Sequence, residues 1–592
     1  MNFFNFFLSF LFMTPLFLSI SQYFLGKKED EGNLLYVNLT GTFLLALAFS
    51  GMFIGVPLSS SWKVSFISVD SLQLHWGGAF TKISSVFLLV CLWLNVFSKG
   101  LIKRLLFVED ASQARLFLYL DLFLLAAFIS ISADYFLPLF VGWELLGIVA
   151  YLLLGFCYES SASNQAAFTA FLYDKIGSIF LLLGGSLLLF SYGDISFSDP
   201  QWGSIRQSFI GLCFFISIYC KMFQFGVNTW VSRSTEIPAL SLSVVANFLF
   251  GIPAFVLLWK LHFLEVDFFK TLSLYLGIAT FVFAIGMALM DSLFKRVTTY
   301  ITIAYWGLIL SFSTFGFYEI AFACLLGLSL MQFILFGIEK VLSSENKEPF
   351  HLGTASLNRS PRGLFVGLIV LLTVCHTGLL GVMGVIAFGS AEGASWVIGG
   401  GIFLLSLSVW RVAFLLCQSS LVRREALESI ETDQLWTIFF FVLSAVTLVG
   451  GAVCFWLSVR APFLKNDFSH GITASLFIGS GIILSGVTVF LFKNMRRTIE
   501  KNVGWGYQLF LKQAYLETLY TFGVVKTFKW ISTVLSEKVD EFLIEQQAFV
   551  GSISGLNGLH RLIFWVQTQT FSFYLFFLVL SCSSLLLFLM LK

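Results

Sequence analysis

Charged residues are scarce in this chain. They make up 11% of its 592 residues, 35 Lys and Arg against 33 Asp and Glu, for a net charge of +2. Soluble domains carry roughly 25% charged residues, so an ordinary water-soluble fold is excluded. With no basic patch, no nucleic-acid partner is expected. Cysteine is sparse as well. Its nine residues are scattered, with no CxxC pair, which excludes a zinc ribbon or a Cys-held iron–sulfur cluster. The six histidines do not cluster, and no phosphate-binding glycine loop opens a βαβ unit. Neither a metal nor a cofactor is expected on this chain. Met1–Leu25 lacks a basic n-region, so it reads as a first membrane span and not as a cleaved signal.

Apolar residues dominate instead: 58% of the chain, including 72 Phe, with a mean hydropathy of +0.90. Apolar runs of span length recur throughout, which predicts an all-α polytopic membrane protein with about 15–16 transmembrane helices. The spans expected are 3–25, 35–57, 78–98, 115–132, 134–157, 165–192, 207–228, 239–263, 272–290, 297–317, 319–341, 363–388, 395–418, 434–459 and 471–493. Residues 1–114 hold N-terminal helices. Residues 115–265 and 266–418 each hold five spans, and an odd number per unit makes the second copy inverted, as in many transporters. Residues 419–503 add further spans. In 504–567 the composition is mixed, and Phe528, Ile531, Leu535, Val539 and Phe542 recur at helical spacing among Lys, Glu and Asp. That pattern predicts an amphipathic helix lying along the membrane or neighbouring subunits, with a weak point at Gly551–Gly558. Residues 568–592 form a last span.

Against this background a few ionisable residues stand out. Glu144 lies inside LPLFVGWELLGIVAYLLLG (137–155) and Lys221 inside FFISIYCKMFQF (214–225). A charge at the bilayer centre costs several kcal/mol, so it faces a partner or a wet path, and these two are the leading proton-pathway candidates. Gln224 and Asn228 extend the polar face beyond Lys221. Asp174 and Lys175 sit inside another span. As neighbours in sequence they point to different helix faces, and either can meet Glu144. Glu392 and Arg411 are weaker candidates in later spans; Gln332, Glu339, Lys340 and His376 are weaker still. WVSRSTEIP (230–238) interrupts its hydrophobic run, which predicts a broken helix beside Lys221. Pro253 is placed to kink the helix that follows.

FVGWELLGIVAYLLLGF (140–156) and KMFQFGVNTWVSRSTEIP (221–238) resemble the antiporter-like membrane subunits of respiratory complex I of the chain 5 type. DSLFKRVTTYITIAYWG (291–307) and the tail 537–576 are similar to further blocks of that family. The resemblance implies two inverted five-helix repeats with broken helices, a lateral helix, and proton translocation coupled at a distance to electron transfer. It implies that Glu144 and Lys221 form the acid and base of the first half-channel. NADH, FMN, iron–sulfur clusters and ubiquinone are then expected on partner subunits. The partners are other membrane-arm subunits and lipid, in the mitochondrial inner membrane.

The chain departs from the family in several places. Where the family has Arg-Ile-Gly-Asp, this chain has Lys175, Ile176, Gly177 and Ser178, with Asp174 one turn before Ser178. A family histidine aligns with Ala246. The central histidines and lysine of the second half align with Cys324, Leu328 and Gln332, and the later Lys-Asp motif is reduced to Glu392. Two other readings remain open: a subunit of a multi-subunit cation/proton antiporter, and a structural subunit that has lost pumping.

Overall fold

The computed structural model describes residues 31–55, 60–69, 72–105, 110–194, 208–229, 251–261, 267–291, 293–314, 526–537 and 551–566, with short stretches elsewhere. They fall into two compact units, Met1–Ala514 and Tyr515–Lys592. In the first unit the order is α1 (Glu31–Gly55), β1 (Ser60–Val69), β2 (Leu72–Phe80), α2 (Lys82–Leu105), α3 (Asp110–Ser132), α4 (Phe136–Leu154), α5 (Ser161–Tyr192), α6 (Ser208–Lys221), α7 (Gly251–Leu261), α8 (Asp267–Met290) and α9 (Phe294–Thr314). The second unit contains α10 (Lys526–Val534) and α11 (Gly551–Val566). Among the described residues four segments are long and apolar enough to cross a membrane: Gln113–Ser132, Phe136–Leu154, Ser161–Tyr192 and Thr271–Met290.

The expected span 78–98 begins too early. Residues 60–69 and 72–80 pair as antiparallel strands, running in register from Ser60↔Phe80 to Val69↔Leu72 with a bulge between Ser65 and Ile67. The alternating WKVSFISV of β1 has the β-branched and aromatic content of a strand. Gly77 is needed where β2 passes close to its surroundings, since a Cβ there would stand 2.6 Å from the Trp62 carbonyl oxygen. The hairpin then ties helix ends together. The Asp134 N–H donates to Gly77 O at 3.1 Å, and the His75 N–H donates to Asp194 Oδ2 at 2.6 Å just past α5. Burial pushes the Asp194 carboxyl above its ordinary range, although the backbone and ring nitrogens of His75 pull the other way.

Lys260 of α7 donates to Ile131 O at 2.8 Å and to Ala133 O at 2.5 Å, capping the end of α3. A lysine suits a helix C-terminus, where unpaired carbonyls gather negative partial charge. Helix α7 runs unbroken through Pro253 from Gly251 to Leu261; the residues before Gly251 lie outside the described ones. The glycine-rich start of α11 is likewise not a break: Gly551 to Val566 is one continuous helix.

Small residues bring α5 and α6 together. A Cβ on Gly177 would stand 2.9 Å from Cys220 Cβ, and one on Gly184 2.9 Å from Cys213 Cβ. These are seven-residue steps on both helices, a small-residue seam of the kind that lets membrane helices approach closely. Gly177→Val is therefore expected to overpack this seam at a cost of about 1–3 kcal/mol. The amount of assembled protein on a native gel would show it; an unchanged amount would refute the seam.

Expected spans from 319–341 onward, and the interruption at 230–238, lie largely or wholly outside the described residues. Described portions of 504–567 are helical, and Phe528, Trp530, Ile531 and Leu535 of that region are exposed in their unit.

Candidate functional site

The site grows from three helices. Helix α4 carries Trp143 and Glu144. Helix α5, started by Ser160 accepting from the Ser163 N–H, carries Asp174 and Lys175. Helix α6 ends on Lys221. Glu144 does not bond Lys221 directly; its ion-pair partner is Lys175. Lys221 Nζ is instead held by Asp174 Oδ1 at 2.6 Å. It also donates to the Trp143 carbonyl at 3.1 Å and lies 4.8 Å from the centre of the Trp143 ring. The pairing is crossed because successive residues on a helix point about 100° apart. Asp174 turns toward α6 while Lys175 turns toward α4. Asp174 and Lys175 remain 3.9 Å apart, so four groups of alternating sign form one chain: Glu144, Lys175, Asp174, Lys221.

Gly147 leaves the room this chain needs, since a Cβ there would stand against Asp174 Oδ2. Asp174 and Lys221 are each 1% exposed, whereas the Glu144 and Lys175 side chains are each 26% exposed. The chain thus runs from a partly open end to a closed one. At 4 Å two unit charges attract by on the order of 4 kcal/mol at an effective dielectric of 20, while burying each ion costs several kcal/mol. The two effects are of similar size, so moving one proton or one side chain changes which groups are charged.

Beyond Lys221 the helix stops. Gln224 and Asn228 are buried beside the site, but on an unwound segment and not on the continued helical face expected from their spacing. Phe223 takes φ 50° and Gly226 φ 97°. Glu144 Oε1, Asp174 Oδ2, Ser217 Oγ, Gln224 Oε1 and Asn228 Oδ1 are buried without a protein hydrogen-bond partner. Such atoms are where ordered water belongs.

The other candidates, Glu392 and Arg411, and also Gln332, Glu339, Lys340 and His376, lie outside the described residues. Cys324 and Leu328 are buried. A second charged cluster escaped the sequence reading. Lys99 Nζ donates to Asp121 Oδ1 and to Asn38 Oδ1, both at 2.5 Å, and Asn38 Nδ2 donates to Asp121 Oδ2 at 3.2 Å. All three are buried, on α2, α3 and α1. The signal was present: Asp121 stands mid-span, as Glu144 does. Lys99 was hidden because the span was ended at residue 98, whereas α2 continues to Leu105.

Residues 132–386 match the family NADH:quinone oxidoreductase/Mrp antiporter, TM. Blocks 140–156, 221–238 and 291–307 all fall inside that match, and the tail lies outside it. NADH-ubiquinone oxidoreductase chain 5 of Aspergillus niger is 27% identical over 343 residues, 55% of this chain and 51% of that protein. Chain 5 of Neurospora crassa is 26% identical over 344 residues, 55% of this chain and 47% of that one. The matched stretch is thus about half the length of these relatives. Among solved structures, that of the Mrp complex from Dietzia sp. DQ12-45-1b aligns with a TM-score of 0.74 and 15% identity, covering 93% of this chain and 63% of that one. At that identity the likeness shows a shared, mostly helical fold.

Proposed function

We propose that this chain is a proton-translocating membrane-arm subunit of NADH:ubiquinone oxidoreductase, complex I, in the mitochondrial inner membrane. The observation that carries this reading is the acid–base chain Glu144–Lys175–Asp174–Lys221, partly open at Glu144 and buried at Lys221. Its two halves are joined end to end by the 3.9 Å step between Asp174 and Lys175. The inverted repeats, the lateral helix against neighbouring subunits, and NADH, FMN, iron–sulfur clusters and ubiquinone on partner chains belong to the same proposal.

The chain conducts by exchanging partners. An opposite charge favours the ionised form of its neighbour. When a proton arrives on Glu144, Lys175 loses a counter-charge and is drawn toward Asp174. Asp174 is then shared between two ammonium groups, and Lys221 releases its proton toward the unwound segment beyond it. Waters at the unpaired oxygens of Asp174, Gln224 and Asn228 carry it onward. The chemistry is proton transfer alone; no bond to carbon forms or breaks on this chain. Glu392 and Arg411 are proposed to serve a later part of the path.

Glu144→Gln and Lys221→Ala are each expected to lower the number of protons moved per electron while the complex still assembles and oxidises NADH. A normal ratio in both would overturn the mechanism. The runner-up is a subunit of a cation/proton antiporter, favoured by the fold shared with the Mrp structure. Native gels stained for NADH oxidation separate the two. Finding the chain in the active band supports complex I; finding it only in a smaller, inactive assembly with sodium-dependent transport supports the antiporter.

A further inference from the structure

We infer that Thr280 of α8 is a positioning residue for Lys221, holding the unwound end of α6 so that a movement of α8 is felt at the lysine. This rests on the proton-path reading above. Helix α8 lies outside the four-group chain and supplies none of its charges, yet it touches the segment that fixes where Lys221 stands.

After Lys221 the chain leaves helical geometry. The Met222 N–H still reaches Ile218 O at 2.9 Å, and the Phe223 N–H turns to Cys220 O at 3.2 Å. Two residues on, the Phe225 N–H has left the helical ladder and donates to Thr280 Oγ1 at 3.0 Å. The Phe225 carbonyl accepts from the Tyr219 hydroxyl at 2.7 Å, closing the turn back onto α6. The Phe225 and Phe283 rings lie 4.3 Å apart, one turn further along α8. Both polar groups of one backbone unit are therefore held by side chains, one from α6 and one from α8.

Thr280 is well suited to this. It is buried, and its hydroxyl hydrogen goes to Leu276 O at 2.7 Å, which leaves the oxygen's lone pairs for Phe225. Helix α8 is itself clamped. A Cβ on Gly277 would stand against Ser311 Oγ and 2.7 Å from Gly307 O of α9, so the two helices pack too closely there for a larger side chain. On the opposite side of the break, the Thr229 hydroxyl donates to the Tyr173 hydroxyl at 3.2 Å, next to Asp174 in sequence. The unwound segment thus spans from α8 to the helix bearing the lysine's acid. Loss of the Thr280 oxygen leaves the buried Phe225 N–H unpaired, and an unpaired buried donor is strongly disfavoured. The turn then has to shift, carrying Lys221 away from Asp174.

Thr280→Val keeps the shape and removes the acceptor; Thr280→Ser keeps the acceptor. In membranes containing the assembled complex, Thr280→Val is expected to lower protons moved per electron toward the level of Lys221→Ala. Thr280→Ser is expected to pump as the unaltered chain does. NADH oxidation with an artificial electron acceptor should be equal in all of them. Full pumping in Thr280→Val beside a defective Lys221→Ala overturns the role of Thr280 and leaves the proton path standing. Equal loss in Thr280→Val and Thr280→Ser also overturns it, because the hydroxyl is then not what matters. Normal pumping in Lys221→Ala overturns the proton path itself and this role with it. If Thr280→Val fails to assemble, Thr280→Ala, which cannot overpack, is read by the same outcomes.

Discussion

In the complex that assembles, Asp174→Asn is expected to stop proton movement through this subunit. The amide keeps an oxygen for the Lys221 ammonium, now 2.6 Å from Asp174 Oδ1, but carries no charge. Lys221, itself 1% exposed, is left buried without its nearest carboxylate. Breaking a buried pair from one side costs about 3–5 kcal/mol, more than a hundredfold in the population of the ion-paired state. Lys175 loses its link to the closed end, and the four-group chain becomes two separated pieces. The measurement is protons moved per electron in sealed vesicles, beside NADH oxidation in the same vesicles. The fall should match or exceed that of Glu144→Gln, because Asp174 touches both lysines. An unchanged ratio would mean that protons bypass the crossed pairs.

The second large effect concerns stability. Asp121→Asn leaves Lys99 fully buried among α1, α2 and α3 with no carboxylate beside it. The expected loss is again about 3–5 kcal/mol, enough to deplete the assembled protein on a native gel and lower its melting temperature. Lys99→Met combined with Asp121→Leu removes both charges and fills the same space. Such replacements are often neutral or stabilising, so the double variant should assemble where the single one fails. If the double variant assembles but pumps poorly, Lys99 and Asp121 belong to the proton machinery. If it pumps normally, they hold helices together.

Much of this was legible because bilayers punish charge. Glu144 and Lys221 could be picked out with no structure, since nothing around them in sequence can solvate them. Asp174 and Lys175 were visible for the same reason, but their partners were not. A one-residue difference in sequence is about 100° around a helix, and which neighbour each side chain meets depends on how α4, α5 and α6 surround each other. The seam of Gly177 and Gly184 against Cys220 and Cys213 sets that arrangement. The hairpin was obscured because the short apolar end of β2, Gly78–Phe80, was read into the apolar run that follows, and hydropathy alone does not separate a strand end from the helix it leads into. Gln224 and Asn228 were placed correctly near Lys221 for a reason that does not hold, as the helix ends before them.

The crossed chain has an electrical consequence. With all four groups ionised, Glu144, Lys175, Asp174 and Lys221 sum to zero, so the resting site is almost blind to the membrane potential. One added proton makes it a single positive charge. Crossing the full field is worth roughly 2.3 kcal/mol per 100 mV. A site halfway across therefore gains or loses about half of that per 100 mV on loading. On the proposed proton-path reading, each proton taken up is weighed against the voltage that earlier protons have built, while the empty site waits without cost. The same alternation of sign that keeps four charges tolerable in lipid thus makes uptake sensitive to voltage.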